Sequence, residues 1–210
     1  MNKMTYQRIK DALKVINTDR LKDIVIKSEK DNREYGLKFC DNGHITATDV
    51  CVGSSCTLDI ESCKDKKTIG SFHTHPRGDP AEENIYYNTV SAADIRHSIY
   101  SNEEFHCLGL IQDEKPTVKC YLPYYGVKKD IALNFLESMS NYEKKSNEYN
   151  PTRRYEEIQK LSHEKSAELD NLFTKYNESY KKFVDASEQA AIKLRNLPNQ
   201  GANFIMEIDK

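Results

Sequence analysis

At the start of the chain Tyr6, Ile9, Leu13 and Ile16 recur on one helical face across Thr5–Ile16, and Asn17-Thr18 breaks the pattern. A short amphipathic helix is expected there. Shorter runs rich in Val, Ile, Tyr and Phe follow at Asp23–Lys27, Tyr35–Cys40 and Ile45–Val52, with Asp41-Asn42-Gly43 between the last two as a turn. These read as strands, the second and third as a hairpin. Thr68–Thr74, Cys107–Gln112 and Thr117–Tyr121 read as further strands, the last two joined by the turn-forming Asp113–Pro116, while Ser91–Tyr100 has helical character.

Beyond about Gly126 the composition shifts to Lys, Glu, Asn and Ser with spaced apolar residues. Asp130–Tyr142 carries Ile131, Phe135, Leu136 and Met139 on one helical face, and Asn147–Pro151 interrupts it. Thr152–Leu197 then forms one long pattern in which Ile158, Leu169, Leu172, Tyr176, Tyr180, Phe183, Ala190 and Leu194 recur at threes, fours or their sums. Such a helix would run for about 65 Å and cannot bury its stripe alone. It is expected to fold back on the preceding helix or to pair with a second chain as a homodimer. The tail Pro198–Lys210 is expected to be loosely held.

The predicted fold class is therefore α/β (α+β). Residues 1–125 form a mixed, curved β-sheet flanked by helices, and residues 126–210 form a helical hairpin or coiled-coil extension. The 210 residues and 38% hydrophobic content suit one ordinary domain with an appendage. The 31 basic and 33 acidic residues nearly cancel, so no electrostatic footprint for nucleic acid is present and none is expected as a partner. No run of about 18 apolar residues occurs and Met1–Lys10 is charged and polar, so the protein is expected to be soluble, cytoplasmic and without a membrane partner.

Six cysteines, Cys40, Cys51, Cys56, Cys63, Cys107 and Cys120, are too few for a disulfide-built miniprotein. Most read as buried thiols, with one structural disulfide involving Cys51, Cys56 or Cys63 as a further expectation. Cys40, Cys51, Cys56 and Cys63 lack the Cys-x-x-Cys knuckle of a four-cysteine zinc site.

Chemistry concentrates in Gly70-Ser71-Phe72-His73-Thr74-His75-Pro76 and in Ser91-Ala92-Ala93-Asp94. Side chains two apart on a strand share a face, so His73 and His75 present two imidazoles side by side. Pro76 ends the strand beside a loop. A catalytic zinc takes three protein ligands and keeps one position open, and a carboxylate commonly joins two histidines. Asp94, one turn into a helix begun by Ser91, is the best-placed third ligand. Zinc so held would lower the pKa of a bound water for attack on a carbonyl.

These residues resemble the JAMM, or MPN-plus (JAB-domain), zinc metalloproteases, whose signature is an upstream Glu, then His-x-His-Pro, then Ser-x-x-Asp. The resemblance covers roughly Tyr6–Tyr125. It implies a JAB/MPN-like fold with zinc on His73, His75 and Asp94, Ser91 stabilising the oxyanion, and the upstream Glu acting as general acid and base. Arg33-Glu34-Tyr35-Gly36-Leu37 resembles the segment bearing that Glu and points to Glu34, with Glu29 and Glu61 as alternatives. Glu34 precedes Gly36 by one residue fewer than is common in the family, which in a regular strand shifts its facing. The Arg77–Val90 segment is longer than the family's usual spacing, as a lid or substrate contact would be. The implied activity is hydrolysis of amide or isopeptide bonds, with a ubiquitin-like protein or a peptide tail as substrate. The family also contains metal-free members, so a non-catalytic scaffold assembling through the C-terminal helices is the alternative.

Plainer readings stand beside these. Ser91 and Asp94 also form a helix-capping pattern, which is compatible with catalysis. His97 reads as a surface histidine of a helix, His44 lies beside a turn, and His106 and His163 lack a metal-ligand partner nearby in sequence. Tyr86-Tyr87 suits either an extended peptide or packing on the domain.

Overall fold

The computed structural model describes residues 3–53, 60, 63–77, 91–148, 155–195 and 205–206. Expectations that fall on Cys56, Glu61, Tyr86-Tyr87, residues 78–90 and most of the C-terminal tail lie outside the described residues. Two compact units result, Met1–Gly126 with Ala190–Lys210, and Val127–Gln189.

In the first unit α1 (Lys3–Ile16) and α2 (Thr18–Asp31) precede the strands β1 (Tyr35–Asp41), β2 (Ile45–Ala47), β3 (Cys51–Val52) and β4 (Lys67–Thr74). Then come α3 (Ala92–Tyr100), β5 (Phe105–Gln112), β6 (Lys115–Tyr121), β7 (Ile192–Arg195) and β8 (Ile205–Met206). The mixed sheet runs β2-β1-β4-β5-β6-β7-β8, with β3 also on β1. Among the described strands only the β4–β5 pair is parallel, and α3 lies between the two in sequence. Antiparallel neighbours take tight turns, but a parallel pair needs a crossover.

Alternation along the strands divides the sheet into two faces. Leu37 and Phe39 of β1, Phe72 of β4, Phe105 and Cys107 of β5, and Val118 of β6 are buried in one core with Ile9, Leu13, Leu21 and Val25 of α1 and α2. Gly109 lies on that face. A Cβ built there would sit 2.6 Å from Val25 and 2.9 Å from Phe72, so the close seating of α2 requires glycine. Ser71, His73, His106 and Leu108 point to the opposite face, where α3 buries Ile95 and Ser98.

Asp23–Lys27, expected as a strand, belongs to α2. Leu21, Ile24, Val25 and Ser28 are buried at helical spacing, and Ile26 is 51% exposed where Ile24 is 8%. A strand would have buried Ile24 and Ile26 together. Asn17, at φ 60, separates the two helices and accepts from the Asp19 amide, and Asn32 closes α2 in the left-handed conformation.

The hairpin partner Ile45–Val52 is two short strands. Thr48 interrupts it, its N–H donating to Lys38 O at 2.9 Å while its Oγ1 accepts from Lys38 N at 3.0 Å. The β5–β6 turn uses Asp113 and Glu114, both at positive φ without glycine. Glu114 is held by the Arg77 guanidinium at 2.8 Å.

In the second unit α4 (Lys129–Glu148) and α5 (Tyr155–Ala190) form an antiparallel pair. Phe135 of α4 meets Tyr176, Tyr180 and Phe183, while Tyr142 meets Phe173 and Tyr176, so the central part of the predicted stripe packs within one chain as a hairpin. The long helix ends at Ala190, short of the expected Leu197. Residues 192–195 form β7, antiparallel to β6, so the chain end returns to the first unit instead of continuing the extension. No helix among the described residues is long and apolar enough to cross a membrane.

The cysteines depart from the buried-thiol expectation. Cys40 is bridged to Cys63 and Cys107 to Cys120, while Cys51 is unbridged. The first bridge spans 23 residues and ties β1 to the chain entering β4. Replacing Cys40 and Cys63 together by serine is expected to lower the unfolding free energy by about 3 kcal/mol, the chain-entropy value for such a loop. Urea unfolding without reductant measures this, and an unchanged midpoint would mean that the bridge is not formed in solution.

Candidate metal centre

His73, the second-last residue of β4, and His75, just past its end, project from one face of the sheet, as their spacing requires. His75 still donates its backbone N–H to Gly109 O at 2.9 Å, so the pairing with β5 continues through the second imidazole. From above, α3 supplies Asp94. Ser91 is its N-cap, with Oγ accepting from Asp94 N at 3.1 Å while Asp94 Oδ2 accepts from Ser91 N at 2.8 Å. This reciprocal capping box fixes the carboxylate as well as the helix end.

His73 Nε2 lies 3.1 Å from Asp94 Oδ1, His75 Nε2 lies 3.2 Å from Asp94 Oδ2, and the two Nε2 atoms are 3.2 Å apart. Donors around a tetrahedral zinc at 2.0–2.1 Å are about 3.3 Å from each other. Hydrogen bonding explains the triangle less well. If each Nε2–H donated to Asp94, two N–H groups would face one another, whereas a divalent cation draws in all three lone pairs. The residues present thus fit a zinc ion. Burial pushes the Asp94 carboxyl up, but the two imidazoles hold it well below its usual range. Burial works downward on His73, and Asp94 raises it.

Glu34 joins this group. The β1–β4 register pairs Gly36 with His73, and continued by two residues it sets Glu34 opposite His75 on the same face. Despite its spacing from Gly36, Glu34 therefore lies on the same face as His73 and His75. Burial raises its pKa above the ordinary value, with the charges of His75, His73 and Asp94 also bearing on it. Its backbone is fixed from both sides. Gly53 N donates to Glu34 O at 2.8 Å, and the adjoining Tyr35 N donates to Thr74 Oγ1 at 2.9 Å.

The structure separates Glu29 from these residues. Its carboxylate takes the Arg77 side chain at 2.6 Å and the Arg77 backbone N–H at 2.9 Å, clamping the chain just after Pro76. Glu61 lies outside the described residues.

Three features escaped the sequence reading. Buried Thr74, between the two histidines, accepts from Tyr35 and donates to Ser28 Oγ at 2.6 Å. Arg77 joins Glu29 of α2 to Glu114 of the β5–β6 turn. His97 and His106, set aside as single histidines, meet through Glu103. A Glu three residues before a His at the start of an apolar strand was the one available signal for the last of these.

The chain matches no protein-family model and no curated protein.

Thr74→Val keeps the side-chain shape and removes both hydrogen bonds, leaving the buried Tyr35 amide without its acceptor. A loss of about 1–3 kcal/mol is expected, measured by urea unfolding; a neutral substitution would mean that Thr74 does not anchor β1 to β4.

Proposed function

We propose that this protein is a zinc-dependent hydrolase of amide or isopeptide bonds that resembles the JAMM/MPN-plus metalloproteases. The observation that carries the reading is the convergence of the His73, His75 and Asp94 donor atoms, with the half-buried carboxylate of Glu34 near enough for its charge to interact with theirs. A zinc ion held by the three ligands would supply Lewis acidity, activating a water and polarising the substrate carbonyl.

The chain's own residues perform the remaining work. Glu34, its proton affinity raised by burial, takes a proton from the attacking water and returns it to the leaving amine. Ser91 Oγ already accepts from the Asp94 amide, so its hydroxyl proton is left to donate to the oxyanion. The capping box holds Asp94 in place throughout. The proposed substrate is a ubiquitin-like protein joined to a lysine, or a peptide tail on such a protein.

One observation favours the scaffold alternative. The α4–α5 hairpin leaves Leu133 and Phe173 about half exposed, 48% and 46%, on a unit that needs no partner to bury its own stripe. Under that reading the hairpin forms a homodimer or takes another chain while the first unit is inert. The cytoplasmic location expected from the sequence meets an opposing observation, because disulfides such as the two here persist mainly in oxidising compartments.

The deciding measurement is zinc per chain in wild type, His75→Ala and Glu34→Gln, with cleavage of a ubiquitin-like isopeptide substrate followed alongside. Zinc retained in Glu34→Gln with cleavage reduced at least about 100-fold is the expected result, and His75→Ala is expected to lose cleavage together with the zinc held at this centre. Cleavage unaffected by Glu34→Gln would remove Glu34 from the mechanism, and a wild type that takes up no zinc at this site would leave the scaffold reading.

A further inference from the structure

Besides the first centre, one more group of imidazole and carboxylate donors converges among the described residues: His97 of α3, Glu103 just before β5, and His106 on β5. We propose that these three residues form a second binding site for a divalent transition metal of the zinc type. The proposal stands apart from the hydrolase reading, because no residue belongs to both sets.

The geometry supports an ion more than a closed hydrogen-bond network. Each carboxylate oxygen of Glu103 faces one imidazole, with Oε2 3.0 Å from His106 Nδ1 and Oε1 3.4 Å from His97 Nε2. The candidate ligand atoms all lie within 4.8 Å of one another. The His97 contact is aimed at the carboxylate yet longer than the roughly 2.7–2.9 Å of a charge-assisted bond. A cation between the groups would take up that slack. Ser71 Oγ donates to Glu103 Oε2 at 2.7 Å and lies 3.1 Å from His106 Nδ1, which orients the carboxylate as an outer partner of a metal site does.

The donor set also selects the metal. Two imidazoles and one carboxylate suit zinc, cobalt or nickel, whereas calcium and magnesium prefer oxygen alone. Glu103 and His106 are buried, and the half-exposed His97 side chain gives the ion a route in. A site of this kind is not a second half of a two-metal hydrolytic centre, whose ions lie about 3.5–4 Å apart and commonly share a ligand. Ser71 and His73 are two residues apart on β4, roughly 6.6 Å, and Asp94 and His97 are one turn apart on α3. The two ions would lie side by side, and the second would clamp α3, the helix that carries Asp94, onto β5.

The test uses cobalt(II) alone as the probe, titrated into the metal-stripped full chain, with bound cobalt counted per chain. About two ions are expected in wild type and about one in His97→Ala, a substitution at an exposed position that the fold should accept. His75→Ala reads the first centre separately, so a failure there leaves this site intact, and the reverse holds. In His97→Cys a thiolate-to-cobalt charge-transfer band absent from wild type is expected. Equal counts in wild type and His97→Ala, or a His97→Cys variant that loads cobalt without that band, would overturn the proposal.

Discussion

A short chain of buried hydrogen bonds sets the geometry of the first centre from the far side of the sheet. Tyr35 N donates to Thr74 Oγ1, Thr74 Oγ1 donates to Ser28 Oγ, and Ser28 Oγ donates to Arg33 O, at 2.9, 2.6 and 2.7 Å. The end of α2, the start of β1 and the end of β4 meet here. Glu34 is the residue before Tyr35, and His73 and His75 flank Thr74. Each bond contributes about 1 kcal/mol net. The positional consequence is larger, because the carboxylate of one strand and the imidazoles of another are set by the same three links. An apolar residue at position 74 would bury equally well and leave Tyr35 without an acceptor.

The opposite face shows why α3 must arrive from above. Two imidazoles on one strand are near neighbours without help, but a third ligand on the same sheet would have to come from an adjacent strand with its own core duties. The parallel β4–β5 pair demands a crossover, and the crossover helix begins with Ser91. Its first turn delivers Asp94 over the strand end, and the next turn delivers His97 over Glu103. Glu103 also acts on Asp94's partner, since it contributes to raising the pKa of His73. A sheet face carrying Ser71, His73, His75 and His106 is polar in the middle of a small domain. It is tolerable because His73 and His75 each face Asp94, and Ser71 and His106 each face Glu103.

How much of this was legible depended on the range of the interaction. The His-x-His pair and the Ser-x-x-Asp turn are local, and spacing alone put His73 beside His75 and Asp94 one turn from Ser91. The choice between Glu34 and Glu29 was not local. It turned on Arg77, which captures Glu29 from 48 residues away, and on a register that no pattern of Glu and Gly discloses. Asp23–Lys27 was misread because a five-residue window of Ile and Val satisfies a strand, and only the longer run from Leu21 to Ser28 exposes the helical period. Residues 192–195 were absorbed into the helix for the reverse reason, a long period carried past Ala190 where tertiary pairing with β6 takes over. His106 gave only a weak sign, Glu103 three residues before it, because its other neighbours come from β4 and from α3.

The segment between the histidines and Asp94 carries a related constraint. Its length exceeds the spacing usual in the family it resembles, yet the ligand geometry does not depend on that length. Arg77 anchors its first residue to Glu29 and Glu114, and the capping box anchors its last end at Ser91. Loop-closure cost grows only with the logarithm of length, so once both ends are fixed by the folded domain, added residues change the closure term by tenths of a kcal/mol. The two anchors therefore fix where His73, His75 and Asp94 stand independently of how many residues lie between Arg77 and Ser91.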